Sequence, residues 1–593
     1  MTQQMTQTQN RTQPQSGSNP ILVAVIGSAL DGITSEMGQT MLRTSRSPIF
    51  VEARDFATSL FSADCRLLAQ THYIPVIGGA TPFALRAIAE FFGDDVHDGD
   101  IFIHNDPFDG GSHLPDITIA RPVFWDGELV FWATTKGHNV DVGGGGVVGF
   151  NPGARDVQEE GIVIPPTRVV AAGELRRDAW ELILSNVRMR ALVESVLNCQ
   201  IGATAIGERR LKGLLEKYGP QTIAAATDEL LRASARQVRA EIAGIPDGEY
   251  SADALLDNDG IDRDRSYRVA LTIKVEGEHL TFDFSESDEQ AKGFINSTIA
   301  NTVSSAHLAL FGCIDPDIRY NAGAIEPVDV IAPAGTLTNP DAPAPVAACT
   351  VPTCEAIASA VWVALSKAVP GRAHAGWARW CTPATMGMNP RTGRHFGDLH
   401  FLGKGGSGAT EGFDGWDHLS PSNTLGGLRT PDPELHELDT PYLLEALEYL
   451  PDSAGGGQWR GGLGVRYRWR VLADDIACAT YGSGFMPETA PVGLLGGRPG
   501  IVQHLTLTRP GAEPVEVESN SFYTLNKGDV FEVIASGGGG FGDPRLRPAE
   551  LVLRDVREGV VSLDAARTVY GVAIDADTLE VREDETRNLR ATA

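Results

Sequence analysis

The sequence predicts an α+β fold, multi-lobed, with mixed sheets and helices. Three observations predict it. Helical apolar spacing and strand-like alternation fall in separate blocks, not in strict βαβ rotation. An N-terminal block sets His and Asp residues at the open end of an apolar hairpin, the mark of a metal-binding α/β region. The last third is rich in Gly and weak in helical periodicity, the mark of a Gly-rich, β-rich C-terminal lobe. At roughly 100–200 residues per domain, 593 residues imply three to five lobes. The pattern divides into a tail (1–18), an N-terminal metal-site region (19–175), a helical segment (176–245), a central α/β region (246–395), the Gly-rich lobe (396–547) and a C-terminal helical tail (548–593).

Residues 1–18 are Gln, Thr and Ser without apolar periodicity, and are read as disordered. From Pro20 to Ser45, Val23, Ile26, Leu30, Ile33, Met37 and Met41 recur at helical spacing. Phe56–Leu68 reads as a hairpin turning at 63–66, and Thr81–Phe92 as a second helix. Residues 180–243 read as helical, and 248–290 as antiparallel strands with a hairpin at 275–278. Ser297–Phe311 and Glu355–Lys367 are helical candidates. Within the Gly-rich lobe Pro441–Glu448 is the one helical patch expected, ahead of a β-rich stretch at 457–542. Residues 548–577 are read as helical and the charged end 583–593 as frayed.

The chemistry concentrates in His104–Asp116 and Lys136–Gly146, which gather His and Asp at turns. Imidazole and carboxylate are the donors that zinc, manganese and iron share. Between them, Ile117–Trp125 and Glu128–Thr135 flank Asp126-Gly127, a strong two-residue hairpin signal. With that loop, facing residues have numbers summing to 253, so His138 opposes Pro115 and His113 opposes Val140. Asp116 then points to the other face, and a three-ligand site needs the ladder to break near Pro115, which cannot donate to it. The competing reading is that His113 caps a loop and Asp116 merely begins a strand. Asp55 reads, on sequence alone, as a salt-bridge partner of Arg54. His72 and His104 read as hydrogen-bonded loop residues. The Gly runs 143–146 and 537–542 match neither a P-loop nor a dinucleotide fingerprint. No G-x-S-x-G elbow is present.

Bulk composition narrows the partners. A net charge of −28 argues against nucleic acid or an anionic membrane surface. The seven cysteines are dispersed without C-x-x-C, so no disulfide framework is expected, and Cys349 and Cys354 read as buried thiols. No signal peptide and no apolar run of 18 residues is evident, so no membrane partner is expected and a cytoplasmic location is.

An ordered series of motifs then resembles the hydantoinase B family, which includes the B half of 5-oxoprolinases and subunits of acetone and acetophenone carboxylases. The series is Arg54-Asp55-Phe56, Asp64–Gln70, His72–Val76, Asn105-Asp106-Pro107, Gly110–Asp116, Gly137-His138, Glu160-Gly161-Ile162, Asp283-Phe284-Ser285, Asn321-Ala322-Gly323, Asp452–Gly464 and Gly537–Pro544. Asn139 stands where many members have a second His, and Gly78-Gly79 where others have His-Leu-Gly. The resemblance implies a two-part enzyme. A hydantoinase A-type partner with an actin-like ATPase fold binds ATP and phosphorylates the substrate, and the B-type chain carries a divalent metal, manganese or zinc. It implies His113, Asp116 and His138 as ligands with the carboxylate of Asp55 as the fourth. Asp141 or Asp106, each lying beside a proposed ligand, is the candidate proton-transfer group. The resemblance also implies a heterotetramer or larger assembly. The expected function is an ATP-dependent cyclic-amide hydrolase. The alternatives are a ketone carboxylase subunit and a non-catalytic structural subunit.

Overall fold

The computed structural model describes residues 19–71 and 73–591. The tail 1–18 and His72 lie outside the described residues. Four sheets organise the rest. The first is a seven-stranded antiparallel sheet of β1 (Phe56–Ser62), β2 (Leu67–Gln70), β3 (Ile101–His104), β4 (Asp116–Trp125), β5 (Glu128–His138), β6 (Thr167–Ala171) and β7 (Glu174–Leu175). Its order is β2-β1-β5-β4-β3-β6-β7. The second runs β11-β10-β9-β8, with β8 (Gly248–Leu256), β9 (Tyr267–Glu276), β10 (His279–Asp283) and β11 (Val328–Ile331); only its β10–β11 pair is parallel. Mixed helices with several antiparallel sheets is the architecture expected.

The remaining sheets use residues from 384 to 534. One is β13-β12-β16-β19, from β12 (Ala384–Asn389), β13 (Arg394–Leu399), β16 (Ile476–Thr480) and β19 (Ser521–Leu525). The other is β14-β15-β20-β17-β18, from β14 (Tyr442–Tyr449), β15 (Val465–Val471), β17 (His504–Thr508), β18 (Val515–Glu516) and β20 (Val530–Ile534). The helix expected at Pro441–Glu448 is therefore strand β14; the helix lies just before it, at Pro433–Asp439. Pairing with β15 from Tyr442–Val471 to Tyr449–Val465 overrides a helical spacing of Leu and Tyr that also alternates.

The β4–β5 hairpin turns where expected. Asp126 and Gly127 both have positive φ, +51° and +85°, as a type I′ turn requires. The register does not hold at 253. Phe124 faces Leu129, but Val123 faces Phe131, so Val130 is a bulge and the sum becomes 254 from there on. Asp116 consequently faces His138 directly and shares its face of the sheet. The ladder needs no break at Pro115, and the expected pairing of Pro115 with His138 is corrected by one residue.

Helices cover both faces of this sheet. Gly207 of the helix Arg190–Tyr218 sits against Ala133 on one face. On the other, Trp132 packs with Leu85 and Ile88 of the helix Pro75–Phe92, which begins at Pro75 where Thr81 was expected and holds Pro82 within it. Among the described residues two helices are long and apolar enough to cross a membrane, Pro20–Thr44 and Cys349–Ala368, although neither is an unbroken apolar run; the second is almost wholly buried in the core and the first buries one face there. The seven cysteines are buried free thiols. The C-terminal segment forms the helices Ala549–Arg557, Leu563–Thr568 and Glu583–Ala591, the last where fraying was expected.

The Gly runs pack on one another. A Cβ on Gly538 would lie 1.9 Å from the Ser407 carbonyl oxygen, and one on Gly461 2.0 Å from that of Gly538. Both runs, 455–464 and 537–542, thus pack within the chain.

Candidate metal centre

Three adjacent strands carry the centre. The β1–β5 ladder pairs Phe56 with Gly137, and the His138 amide donates to the Asp55 carbonyl at 3.1 Å, extending that ladder by one residue. Asp55, His138 and Asp116 therefore form one row across β1, β5 and β4. His113 joins from a turn closed by the Asp116 amide donating to the His113 carbonyl. Ligand atoms of His113, Asp116 and His138 all lie within 4.8 Å of one another, and all three residues are buried. His113 Nε2 is 3.1 Å and His138 Nδ1 3.6 Å from Asp116 Oδ1. These spacings bracket the roughly 3.3 Å edge of a tetrahedron whose bonds are about 2.05 Å.

The alignment of these contacts is poor for hydrogen bonds, and His113 Nε2, Asp116 Oδ1 and His138 Nε2 are buried without hydrogen-bond partners. Buried polar atoms are seldom left so. Their other atoms are engaged. His113 Nδ1 lies 2.7 Å from the Ala347 carbonyl, so this nitrogen carries the proton and Nε2 presents its lone pair. Ser112 Oγ donates to Asp116 Oδ2 at 2.6 Å. Burial pushes the Asp116 carboxyl up, but His113, His138 and Lys136 outweigh it and hold it well below the carboxylate range. Burial pushes Asp55 up to about 6, with His138 opposing and Asp116 adding to the rise. A carboxylate beside two imidazole rings is a donor set that fits a borderline divalent cation. Asp55 stands outside the tight trio but lines the same cavity; no salt bridge to Arg54 is formed among the described residues.

A small cavity lies above the trio. Its walls come from parts of the chain that sequence reasoning left without a role. Phe150 stacks on His138 at 5.9 Å and on Tyr481 at 3.9 Å. The 147–150 turn reaches His138 because Gly149, at φ +83°, passes where a Cβ would lie 2.3 Å from Pro115 Cγ. Thr350 and Val351 enter from a π-helical turn at Cys349–Thr353. Asn423, Trp380 and Phe401 complete the far side.

Asp141 and Asp106 do not line this cavity. Asp141 Oδ1 accepts from the Gly143 amide and its Oδ2 from the Arg188 and Met189 amides; Asp106 Oδ1 accepts from the Phe108 amide. His104, expected in a loop, ends β3 fully buried with neither ring nitrogen partnered by a hydrogen bond, and burial with Lys136 lowers it to about 3. A second His/Asp trio, Asp398, His400 and His436, was not expected from the sequence. Its atoms are spent on one another and on neighbours: His436 Nε2 on Asp398 at 2.7 Å, His400 on Tyr467 and Thr385 at 3.0 Å each.

A buried imidazole–carboxylate cluster at the floor of a mostly apolar cavity is the arrangement of an enzyme, not of a scaffold. The chain belongs to the hydantoinase B/oxoprolinase family, whose model matches residues 19–544. It is similar to the beta subunit of caprolactamase from Pseudomonas jessenii, 36% identical over 94% of this chain and 97% of that protein. The B component of a putative D-/L-hydantoinase from Pseudomonas sp. (strain NS671) is 30% identical over 96% of this chain and 98% of that one. The crystal structure of the ATP-dependent caprolactamase from Pseudomonas jessenii superposes with a TM-score of 0.91 at 35% identity, covering 97% of this chain and 99% of that one. The nucleotide-free structure of acetone carboxylase shares the fold, with a TM-score of 0.88 at 22% identity over 97% of this chain and 82% of that one.

Proposed function

We propose that this chain is the metal-bearing B-type subunit of an ATP-dependent cyclic-amide hydrolase, working with a hydantoinase A-type ATPase subunit. The observation that carries the reading is the trio of buried, unpartnered donor atoms facing a cavity, in a chain similar along nearly its whole length to a caprolactamase beta subunit. His113 Nε2, Asp116 Oδ1 and a His138 ring nitrogen would hold zinc or manganese, with the Asp55 carboxylate as the fourth ligand. Bound there, the ion would supply Lewis acidity and a water of lowered pKa.

The chain's own residues prepare the rest. Ala347 fixes the His113 tautomer, and Ser112 steadies Asp116. An amide resists attack because its nitrogen donates into the carbonyl. Phosphorylation of the carbonyl oxygen by the partner removes that protection, and the apolar walls keep bulk water from the activated amide. A ketone carboxylase subunit shares the fold, but nothing in the cavity favours it.

Reconstitution tests the reading. The chain purified with its partner should hold stoichiometric zinc or manganese, and should hydrolyse ATP only when both subunits and a cyclic amide are present. His138→Ala should remove both the metal and the activity. Full activity in metal-free complex, ATP hydrolysis by the isolated chain, or turnover confined to ketones would each overturn it.

A further inference from the structure

We infer that a second pocket, between the Gly-rich lobe and the C-terminal helices, binds a small aliphatic amino acid, with its carboxylate at Arg460 and Arg498 and its ammonium at Asp452. The site is separate from the metal centre, and the two pockets share no lining residue.

Two stretches of chain build the pocket. One is the motif Asp452–Gly464 with Arg498 and Pro499 beside it; the other is 560–570. The family model ends at 544, so the second stretch lies outside the family match, and the chemistry that the family shares does not account for the pocket. Asp452 adopts φ +59°, a backbone conformation that Asp tolerates better than most residues. Its amide donates to the Val560 carbonyl at 3.1 Å, and its Oδ1 accepts from the Ser562 amide at 2.9 Å. These bonds seat the C-terminal segment and hold the carboxylate in the pocket wall.

On the cationic side, Arg460 is 8% exposed, and its backbone amide is pinned to Asp414 Oδ1 at 2.7 Å. Its Nη1 donates to the Gly461 carbonyl at 2.6 Å and lies 3.7 Å from Asp417, while Nε has no hydrogen-bond partner. A guanidinium carries five donors, so this buried one has donors to spare. Tyr570, also buried, lines the pocket with a hydroxyl that makes no hydrogen bond among the described residues. Arg498 is exposed and forms no salt bridge among the described residues. Neither guanidinium pairs with Asp452, although all three side chains line one pocket. Between them stand apolar walls from Leu463, Val560, Val561, Ala565 and Val569.

A ligand with an anion at one end, a cation at the other and methylenes between them meets every one of these groups. Phosphate would leave the walls empty and be repelled by Asp452. A simple fatty acid would leave Asp452 unpaired, and an alkylamine would leave the guanidiniums so. The ω-amino acids have the required form, and opening a lactam releases them. In that hydrolysis the C–N bond breaks, the water oxygen becomes part of the carboxylate, and the nitrogen leaves as an amine that is protonated at neutral pH. Only this link to a product rests on the cyclic-amide reading; the chemistry of the pocket does not. Bound there, the amino acid would bridge the lobe to the C-terminal helices and stabilise that junction as its concentration rises above its Kd.

Isothermal titration calorimetry of the full-length chain tests the site. The probes are 4-aminobutanoate, 5-aminopentanoate, 6-aminohexanoate, hexanoate, pentylamine and inorganic phosphate. At least one amino acid should bind about fivefold or more tighter than hexanoate, pentylamine and phosphate. Arg498→Gln, at an exposed position, should weaken that binding by about fivefold or more. Asp452→Asn keeps the Ser562 bond and tolerates the same φ, and should bring 6-aminohexanoate to within about threefold of hexanoate. His138→Ala should leave the binding as it was. No binding by any amino acid, or phosphate binding tighter than all of them, would overturn the inference. Binding lost in His138→Ala but kept in Arg498→Gln would place the ligand at the metal centre and overturn it equally. The titration needs neither ATP nor the partner subunit, so its failure is distinct from a failure of the cyclic-amide reading in reconstitution.

Discussion

Ser112 and Ala347 decide how two of the three proposed ligands face the cavity. Ser112 Oγ occupies Asp116 Oδ2, so Oδ1 is the oxygen turned to the imidazoles. Ser112→Ala frees that carboxylate to rotate, and outer-shell losses of this kind cost about tenfold to a hundredfold in metal affinity. A chelator competition titration should show that loss with the far-UV spectrum unchanged; equal affinity in both proteins would remove Ser112 from the site. His113 and His138 were legible in the sequence as neighbours at the open end of one hairpin, whereas Asp116 joined them only through the family resemblance, because the expected register set it on the other face. Asn423 in the cavity wall was not legible, because an asparagine after Ser-Pro-Ser reads as an ordinary turn residue. Its unpaired oxygen appears only once Thr350, 73 residues away, has taken its amide nitrogen.

The hairpin shows where element-scale reading succeeds and where it stops. Asp126-Gly127 announced the turn and the apolar flanks announced the strands. The bulge at Val130 left no signal, since no Gly or Pro marks it and a valine suits a regular strand equally well. That one residue moves Asp116 to the ligand face. Glu160 belongs to one of the family motifs, and its role is also at this scale. Its carboxyl accepts from the Val346 and Ala347 amides at 3.0 and 2.9 Å, holding the segment whose carbonyl orients His113. Burial pushes Glu160 up to about 8 against those two bonds. Between the ordinary carboxyl value of 4.5 and about 8, the folded state keeps a proton that the unfolded state has released. Its stability contribution is therefore full below that window and falls as pH rises through about 8. Thermal melts from pH 6 to 9 should show the wild type losing stability relative to Glu160→Gln. Parallel curves would mean that Glu160 is already ionised in the fold.

The cavity is a property of the whole molecule. Its floor comes from strands within 55–138, while its walls reach to 351, 428 and 481, so no N-terminal fragment contains the site. The Gly runs let 455–464 and 537–542 lie backbone against backbone with each other and with Ser407, Val492 and Arg498, which explains why a Gly-rich stretch without nucleotide motifs is needed at all. Beyond them, Arg547 ties the C-terminal helices to the Gly-rich lobe. It is fully buried and forked between Asp414, at 2.7 and 2.8 Å, and Asp555, at 3.0 and 2.8 Å. These two carboxylates lift its already high pKa further, against the burial that lowers it. Asp555 is itself 1% exposed, so Arg547→Met would strand a buried carboxylate, at about 3–5 kcal/mol. The loss should be local, because Asp555 belongs to the helix Ala549–Arg557, which packs in a small core of its own with Val561, Ala566 and Tyr570. Hydrogen exchange should accelerate across Ala549–Thr568 in Arg547→Met while Asp116–His138 stays protected and the metal content holds. Adding Asp555→Leu should restore part of the protection, since the stranded charge is then gone. If exchange is unchanged in the single variant, the ion pair is not what holds the C-terminal helices, and the apolar contacts of Val552 and Val561 carry that task alone.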